Sequence, residues 1–224
     1  SRRPTLSVMG MGIASGTASA FAAAMLAASA AAAAAAVADV PTLTSSAGIV
    51  RFGAQVTLRG SAAGQAGQTV QMLATGCGFT GAVPIGTATV DTNGDYSFNL
   101  QPALGMTIVA QLGGTESAPV PIEVEPLVQL RRVGAKIFAV DVSVGAGQFF
   151  TSKATLERYD AAHERWQPVA SGTLKQNSSL GAVVAVSTAT IRASVKPGSR
   201  LRAFIGQAAL GGCYVPASSS SLTA

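Results

Sequence analysis

The chain has 224 residues, of which 48% are apolar, 11% charged and 5% aromatic, with a formal net charge of +5. So much apolar content with so little charge excludes a disordered chain, and the lack of long Leu/Glu/Lys-rich segments argues against a helical protein. Val and Thr broken at short intervals by Gly and Pro predict short strands and turns, over a length that suits one or two domains.

The first 38 residues read as a targeting segment rather than as part of the fold. Arg2 and Arg3 open it, no residue from Pro4 to Ala38 is charged, and it ends in Ala36-Val37-Ala38 before Asp39. Small residues at the −3 and −1 positions suit signal peptidase, so cleavage is expected between Ala38 and Asp39. The opening Ser1-Arg2-Arg3-Pro4-Thr5-Leu6 resembles a twin-arginine export signal but has Thr5 where Phe is usual, so the general secretory route stays open beside it. The alternative is an uncleaved anchor, since the uncharged stretch is long enough to span a bilayer. Abundant Ala and a preference for Arg over Lys suggest a GC-rich bacterial source. No second apolar run follows, so contact with a membrane is expected only through an uncleaved segment, and the setting is extracellular or cell-surface.

Residues 39–125 and 126–224 repeat one pattern. Val56 and Leu58 recur as Val140 and Val142, Val70 and Met72 as Ala154 and Leu156, and Pro84 as Pro168, each at an offset of 84 residues. Ile108, Ala110 and Leu112 then match Leu201, Ala203 and Ile205 at 93, which places about nine extra residues around Lys175–Thr190. Every matched segment alternates apolar and polar residues, the mark of a half-buried strand. Asn93-Gly94 ahead of Tyr96, Phe98 and Leu100 is a strong hairpin signal. About seven strands per half are the number an immunoglobulin-like sandwich needs, with the boundary at Val124-Glu125-Pro126-Leu127.

Two stretches carry a resemblance. The first is Gly67-Gln68-Thr69-Val70-Gln71-Met72-Leu73 followed by Ile85 to Phe98. The second is Leu156-Glu157-Arg158-Tyr159 with Trp166-Gln167-Pro168-Val169-Ala170. They resemble the core of bacterial Ig-like or fibronectin-III-like domains of exported surface proteins. The resemblance covers nearly all of 45–224 and implies fold and setting. It carries over no catalytic residues and no cofactor. The fold class expected is all-β: two tandem immunoglobulin-like β-sandwiches behind a signal segment.

In that arrangement Cys77, after the third strand of the first domain, and Cys213, after the sixth of the second, lie at facing ends of the two sandwiches. Two cysteines in an exported chain read as a pair, so a disulfide across the boundary is expected.

Few residues suggest chemistry. His163 is the only histidine and lies in a polar loop, and no nucleophile elbow, zinc-protease or phosphate-loop motif occurs, so no enzyme activity, metal or cofactor is expected. Asp91, Asn93 and Asp95 alternate as in a calcium loop, but Tyr96 and Pro102 stand where Gly and an acid are wanted, and a hairpin turn is the better reading. Tyr159 and Trp166 flank the Asp160–Arg165 loop, as a sugar-stacking pair or as a cross-strand packing pair. Residues 39–125 carry a net charge of −4 and 126–224 a net charge of +7, with Arg131-Arg132 and Arg200/Arg202 as the densest basic pairs. No aromatic-interleaved nucleic-acid motif is present, so nucleic acid is not an expected partner. The function expected is an exported, non-catalytic structural or adhesive binding module whose partner is a surface polymer or protein. The alternative is a carbohydrate- or polyanion-binding accessory protein acting through the basic second domain.

Overall fold

A computed structural model of the protein describes residues 40–78, 80–145, 151–177 and 184–224; residues 1–38, expected to be a signal segment, and the expected Ala38–Asp39 cleavage site lie outside them. The first half holds β1 (Thr44–Ser45), β2 (Ile49–Arg51), β3 (Val56–Ser61), β4 (Thr69–Gly76), β5 (Val83–Thr89), β6 (Asp95–Leu100), β7 (Met106–Leu112), β8 (Thr115–Glu116) and β9 (Val120–Glu125). The second half holds β10 (Leu127–Gly134), β11 (Ile137–Gly145), β12 (Lys153–Asp160), β13 (Arg165–Thr173), β14 (Lys175–Gln176), β15 (Val184–Arg192), β16 (Arg200–Ile205), β17 (Ala217–Ser218) and β18 (Leu222–Thr223). Among the described residues the only helical element is one 3₁₀ turn, Gln207–Ala209.

The strands form four sheets in an all-β, sandwich-like fold. In the first half β1-β3-β6 faces β2-β9-β7-β4-β5, with β8 paired to β7; in the second, β10-β11-β15-β14 faces β13-β12-β16-β17, with β18 paired to β16. Every one of these ladders stays on one side of Pro126. The halves hold more strand segments than the pattern predicts: Cys77 follows the fourth strand, not the third, and Cys213 the seventh of its half, not the sixth, the short β14 adding one there. In the first half the reason is that the first strand is split. β1 pairs antiparallel with β3, whereas β2 crosses over to pair parallel with β9. A tight bend at Ser45, whose hydroxyl donates to the Ala47 carbonyl at 2.7 Å, redirects the chain between them.

Alternation along each strand decides what is buried. Val56, Leu58, Val70, Met72, Ile108 and Ile122 fill the first half, and Phe138, Val140, Leu156, Ile191, Leu201 and Ile205 the second. Each such side chain contributes about 1.5–3 kcal/mol through the surface it removes from water. Gly60 is required where it stands: a β-carbon there would overlap the Thr42 carbonyl oxygen and the ring of Tyr96, whose hydroxyl bonds that same carbonyl.

Several local geometries stand at matching places. The β4–β5 ladder shifts register between Met72 and Leu73, and the β12–β13 ladder between Leu156 and Glu157, each opposite the residue after a proline. Met72 pairs with Ala110 and Leu156 with Ala203. The amide of Ala110 donates to the buried Ser117 hydroxyl at 3.0 Å, and that of Ala203 to the buried Ser219 hydroxyl at 2.9 Å. In both places the serine amide returns a bond to the same alanine's carbonyl, and its hydroxyl donates to the next residue's carbonyl. The buried Ala110 and Ala203 amides are thereby satisfied in the interior.

Candidate functional site

Two places carry arrangements beyond packing. The first is the junction of the halves. Cys77 and Cys213 are disulfide-bonded, with Cα atoms 5.4 Å apart and a sequence separation of 136. Hydrogen bonds flank the bond: Gly105 N–H donates to Cys213 O at 2.9 Å, and Val215 N–H to Val124 O at 3.0 Å. Tyr214, buried between them, donates its hydroxyl proton to Ala103 O at 3.1 Å and accepts from Gly145 N–H at 3.3 Å. Burial pushes the Tyr214 hydroxyl up to about 12, against a weaker opposing effect of the Gly145 bond. Gly105 and Gly145 let the backbones approach: a β-carbon at either would crowd Cys213 O or the Ala103 side chain at 3.0–3.1 Å. The segment after β16 is therefore clasped to the loop before β7 and to β9. The pairing of the two cysteines was legible in the sequence. Tyr214 was not, because nothing about a lone Tyr beside a Cys marks it as a cross-boundary anchor.

The second place is the outer face of β12, β13 and β16. Ala154 and Leu156 turn inward with Leu201, Ala203 and Ile205, so Glu157 and Tyr159 turn outward with Arg200, Arg202 and Phe204. Tyr159 sits directly across from Trp166, ring centroids 5.3 Å apart and tilted by 58°. The Arg200 guanidinium lies 5.0 Å from the Tyr159 ring and 5.6 Å from Trp166. Arg202 lies 4.5 Å from Trp166 and 5.8 Å from Phe204, and its Nε donates to Glu157 at 2.7 Å. Cations and rings alternate in a ladder, each contact contributing about 0.5–1 kcal/mol at such an exposed site.

Tyr159, Trp166, Arg200 and Arg202 are thus brought together, whereas Arg131 and Arg132 are not: they stand on β10, in the other sheet. Arg131 is taken up by Asp141, at 2.6 Å, and Arg132 donates to the carbonyls of Gly134 and Ala135. Guanidiniums lie against both rings, so a sugar stacking on Tyr159 or Trp166 would meet Arg200 and Arg202 beside it. Arg202 is neutralised by Glu157, while Arg200 is exposed and in none of the ion pairs among the described residues.

The loop between β12 and β13 holds His163, exposed, bonded at 2.8 Å to Asp160; that bond foremost holds the Asp160 carboxyl below its ordinary range. Asp91 accepts from the amides of Asn93 and Asp95 at 2.8 and 2.9 Å, so its side chain caps a hairpin turn.

Beyond these positions, the end of the second half farthest from the disulfide collects cations that no sequence motif marks. Lys136 and Arg192 line one cavity of about 210 Å³ with Ile137, Ala193 and Ser194, and Ala193 N–H donates to Lys136 O at 3.0 Å. Lys196 begins a Lys196-Pro197-Gly198-Ser199 turn closed by Ser199 N–H to Lys196 O at 3.2 Å, with Gly198 at φ +80°. These residues are scattered in sequence and share only one end of the sheets, so no basic cluster in the sequence marks them. No protein-family model matches the chain, and no curated protein sequence does.

Proposed function

We propose that the mature chain is an exported, non-catalytic structural or adhesive binding module of the cell envelope or secreted fraction, built from two tandem immunoglobulin-like sandwiches that move as one body. The observation that carries this reading is the junction. A disulfide, three cross-boundary hydrogen-bonding residues and two close glycines oppose bending between the halves, as a spacer or display element requires. The disulfide is compatible with an oxidising, extracellular setting, where such bonds persist. The tandem reading draws support from the paired register shifts and the Met72–Ala110 and Leu156–Ala203 partners, at the offsets of 84 and 93 residues, and from the two serine brackets that Ser117 and Ser219 form on those same alanines.

The test has two parts. Expressed from its own signal in a bacterium, the chain is expected outside the cytoplasm with Asp39 as its first residue; retention of the Ala-rich segment in membranes would overturn cleavage. Purified 39–224 is then mixed with intact cell envelopes and sedimented. Co-sedimentation that saturates supports the adhesive reading, and recovery wholly in the supernatant sinks it.

A second reading, a carbohydrate- or polyanion-binding accessory protein, is favoured by one observation: Arg200 is exposed, in none of the ion pairs among the described residues, and held beside two rings.

A further inference from the structure

We infer that the end of the second half opposite the disulfide is a binding surface for an acidic polysaccharide, with Lys136, Arg192, Lys196 and Arg200 as its contacts. This inference rests on the second reading and replaces Arg131, Arg132 and Arg202 as the binding cations.

Topology brings the four together. β11 begins at Ile137 opposite Arg192, where β15 ends. The link 193–199 then crosses to β16, which begins at Arg200, so both sheets present cations at one end. Lys136, Arg192, Lys196 and Arg200 are all exposed, and none belongs to the three ion pairs of the described residues. The supports beneath them are fixed. Gly198 N–H donates to Ala224 O and Ala224 N–H to Ser199 O, both at 2.9 Å, which ties the link to the C-terminal strand. Asp160 and Glu164 lie on the hairpin loop at this end, Asp160 engaged by His163, and a protein ending at Ala224 also carries its terminal carboxylate at the link, one negative charge against the four cations.

The chemistry of the partner follows. An arginine stacked on rings offers the edge of its guanidinium to a carboxylate, sulfate or phosphate as a two-pronged donor. The cavity between Lys136 and Arg192 admits one such group. A single small anion cannot reach both sheets at once, so a chain carrying repeated oxyanions engages all four. Single-stranded nucleic acid binds best where bases stack on free rings, and here guanidiniums already lie against Tyr159 and Trp166. A bilayer would need an apolar wedge, and Val133 is the one large apolar side chain strongly exposed at this end among the described residues.

The experiment uses 39–224 on columns of polygalacturonate, dextran sulfate and plain dextran. The first two distinguish carboxylate from sulfate as the preferred group, and the third is neutral. Wild type is expected to be retained on a charged column near 0.1 M salt and to pass through dextran. The quadruple variant Lys136→Ser/Arg192→Ser/Lys196→Ser/Arg200→Ser is compared with Arg51→Ser/Arg59→Ser/Lys153→Ser/Lys175→Ser. The latter removes the same charge elsewhere, also at exposed positions. The first should lose roughly tenfold or more in affinity and lower the slope of log K against log salt by about two to three, on the order of 0.7 per lost contact. The second should stay within about twofold of wild type on the same reasoning about net charge alone. Equal losses in both variants, or a wild type that is not retained, would overturn the inference; so would equal retention on single-stranded DNA with the same variant pattern. If either quadruple variant loses its cooperative melting, the pairs Lys136→Ser/Lys196→Ser and Lys153→Ser/Lys175→Ser repeat the comparison. Envelope binding that persists when column binding fails leaves the adhesive reading standing and removes this one.

Discussion

The two halves place the same ladder positions under different chemistry. In the first half Leu73 pairs with Val109 across β4 and β7; at the matching place in the second, Glu157 pairs with Arg202 across β12 and β16. Inward neighbours on these strands stay apolar in both, Met72 and Ala110 in one, Leu156 and Ala203 in the other. The inner face is constrained by close packing, where even one methylene matters. The outer face is free to carry a neutral pair or a charged ladder at little cost, and so it is where the halves diverge. The acidic first half and basic second half differ through such outward positions and through loop ends, while the interior of each stays apolar.

The largest effect expected is at the place where the halves meet. Cys77→Ser with Cys213→Ser opens a loop of 136 residues. The chain-entropy account puts the loss at up to about 4–5 kcal/mol. Urea denaturation should show it, together with a split into two transitions as each half melts alone. A single transition at an unchanged midpoint would mean that the remaining hydrogen bonds hold the junction without the sulfur bridge.

Ser117→Ala and Ser219→Ala test whether the halves share more than a pattern. Each leaves a buried alanine amide without its acceptor, a loss of about 1–3 kcal/mol. Similar losses in chemical denaturation would make the two brackets equivalent; a loss at one serine alone would separate the halves.

Tyr214→Phe removes two hydrogen bonds at the junction and is expected to destabilise by about 1–2 kcal/mol, including the Gly145 amide left unmet. The same tyrosine sets an alkaline limit. Its folded hydroxyl, like that of Tyr96, is pushed from 10.0 up to about 12, chiefly by burial. The unfolded chain therefore releases these protons first. Their contribution is fully present below pH 10 and falls as pH rises toward about 12. In Tyr214→Phe the fall should be shallower, with only Tyr96 left; an unchanged alkaline slope in stability against pH would assign the limit to other groups.

The smallest effect belongs to the pair that opened the comparison. Glu157→Leu with Arg202→Val gives the second half the residues of the first. Partly exposed ion pairs contribute little, so the double variant should lie within about 1 kcal/mol of wild type. Arg202→Val alone should be worse than the double variant, because it strands Glu157; if the single and double variants match, the ion pair is not coupled.

Alternation and turn residues made much of the fold legible: the strands around Val56, Val70, Tyr96, Ile108, Val140, Leu156 and Leu201 were marked by period two, and the 91–95 turn by Asn93-Gly94. The split of the first strand was not, because Ile49-Val50-Arg51 is too short to show which sheet it joins. Of the candidate site residues, Tyr159 and Trp166 could be paired from their places on either side of one hairpin. The separation of Arg131 from Arg202 could not, since adjacency in sequence says nothing about which sheet a strand joins.

The sequence by itself determined the all-β class, the inward-facing residues of most strands, the charge of each half and the two cysteines as the only possible pair. Those properties are local or compositional: a period of two, a sum of charges, a count of thiols. Tertiary structure alone decided that Tyr214 reaches Ala103 and Gly145, that guanidiniums lie against the two rings, and that Lys136, Arg192, Lys196 and Arg200 share one end. Each of these depends on which strand ends meet in space, and long-range pairing of strands is fixed by the packing of the whole sandwich, not by any one segment.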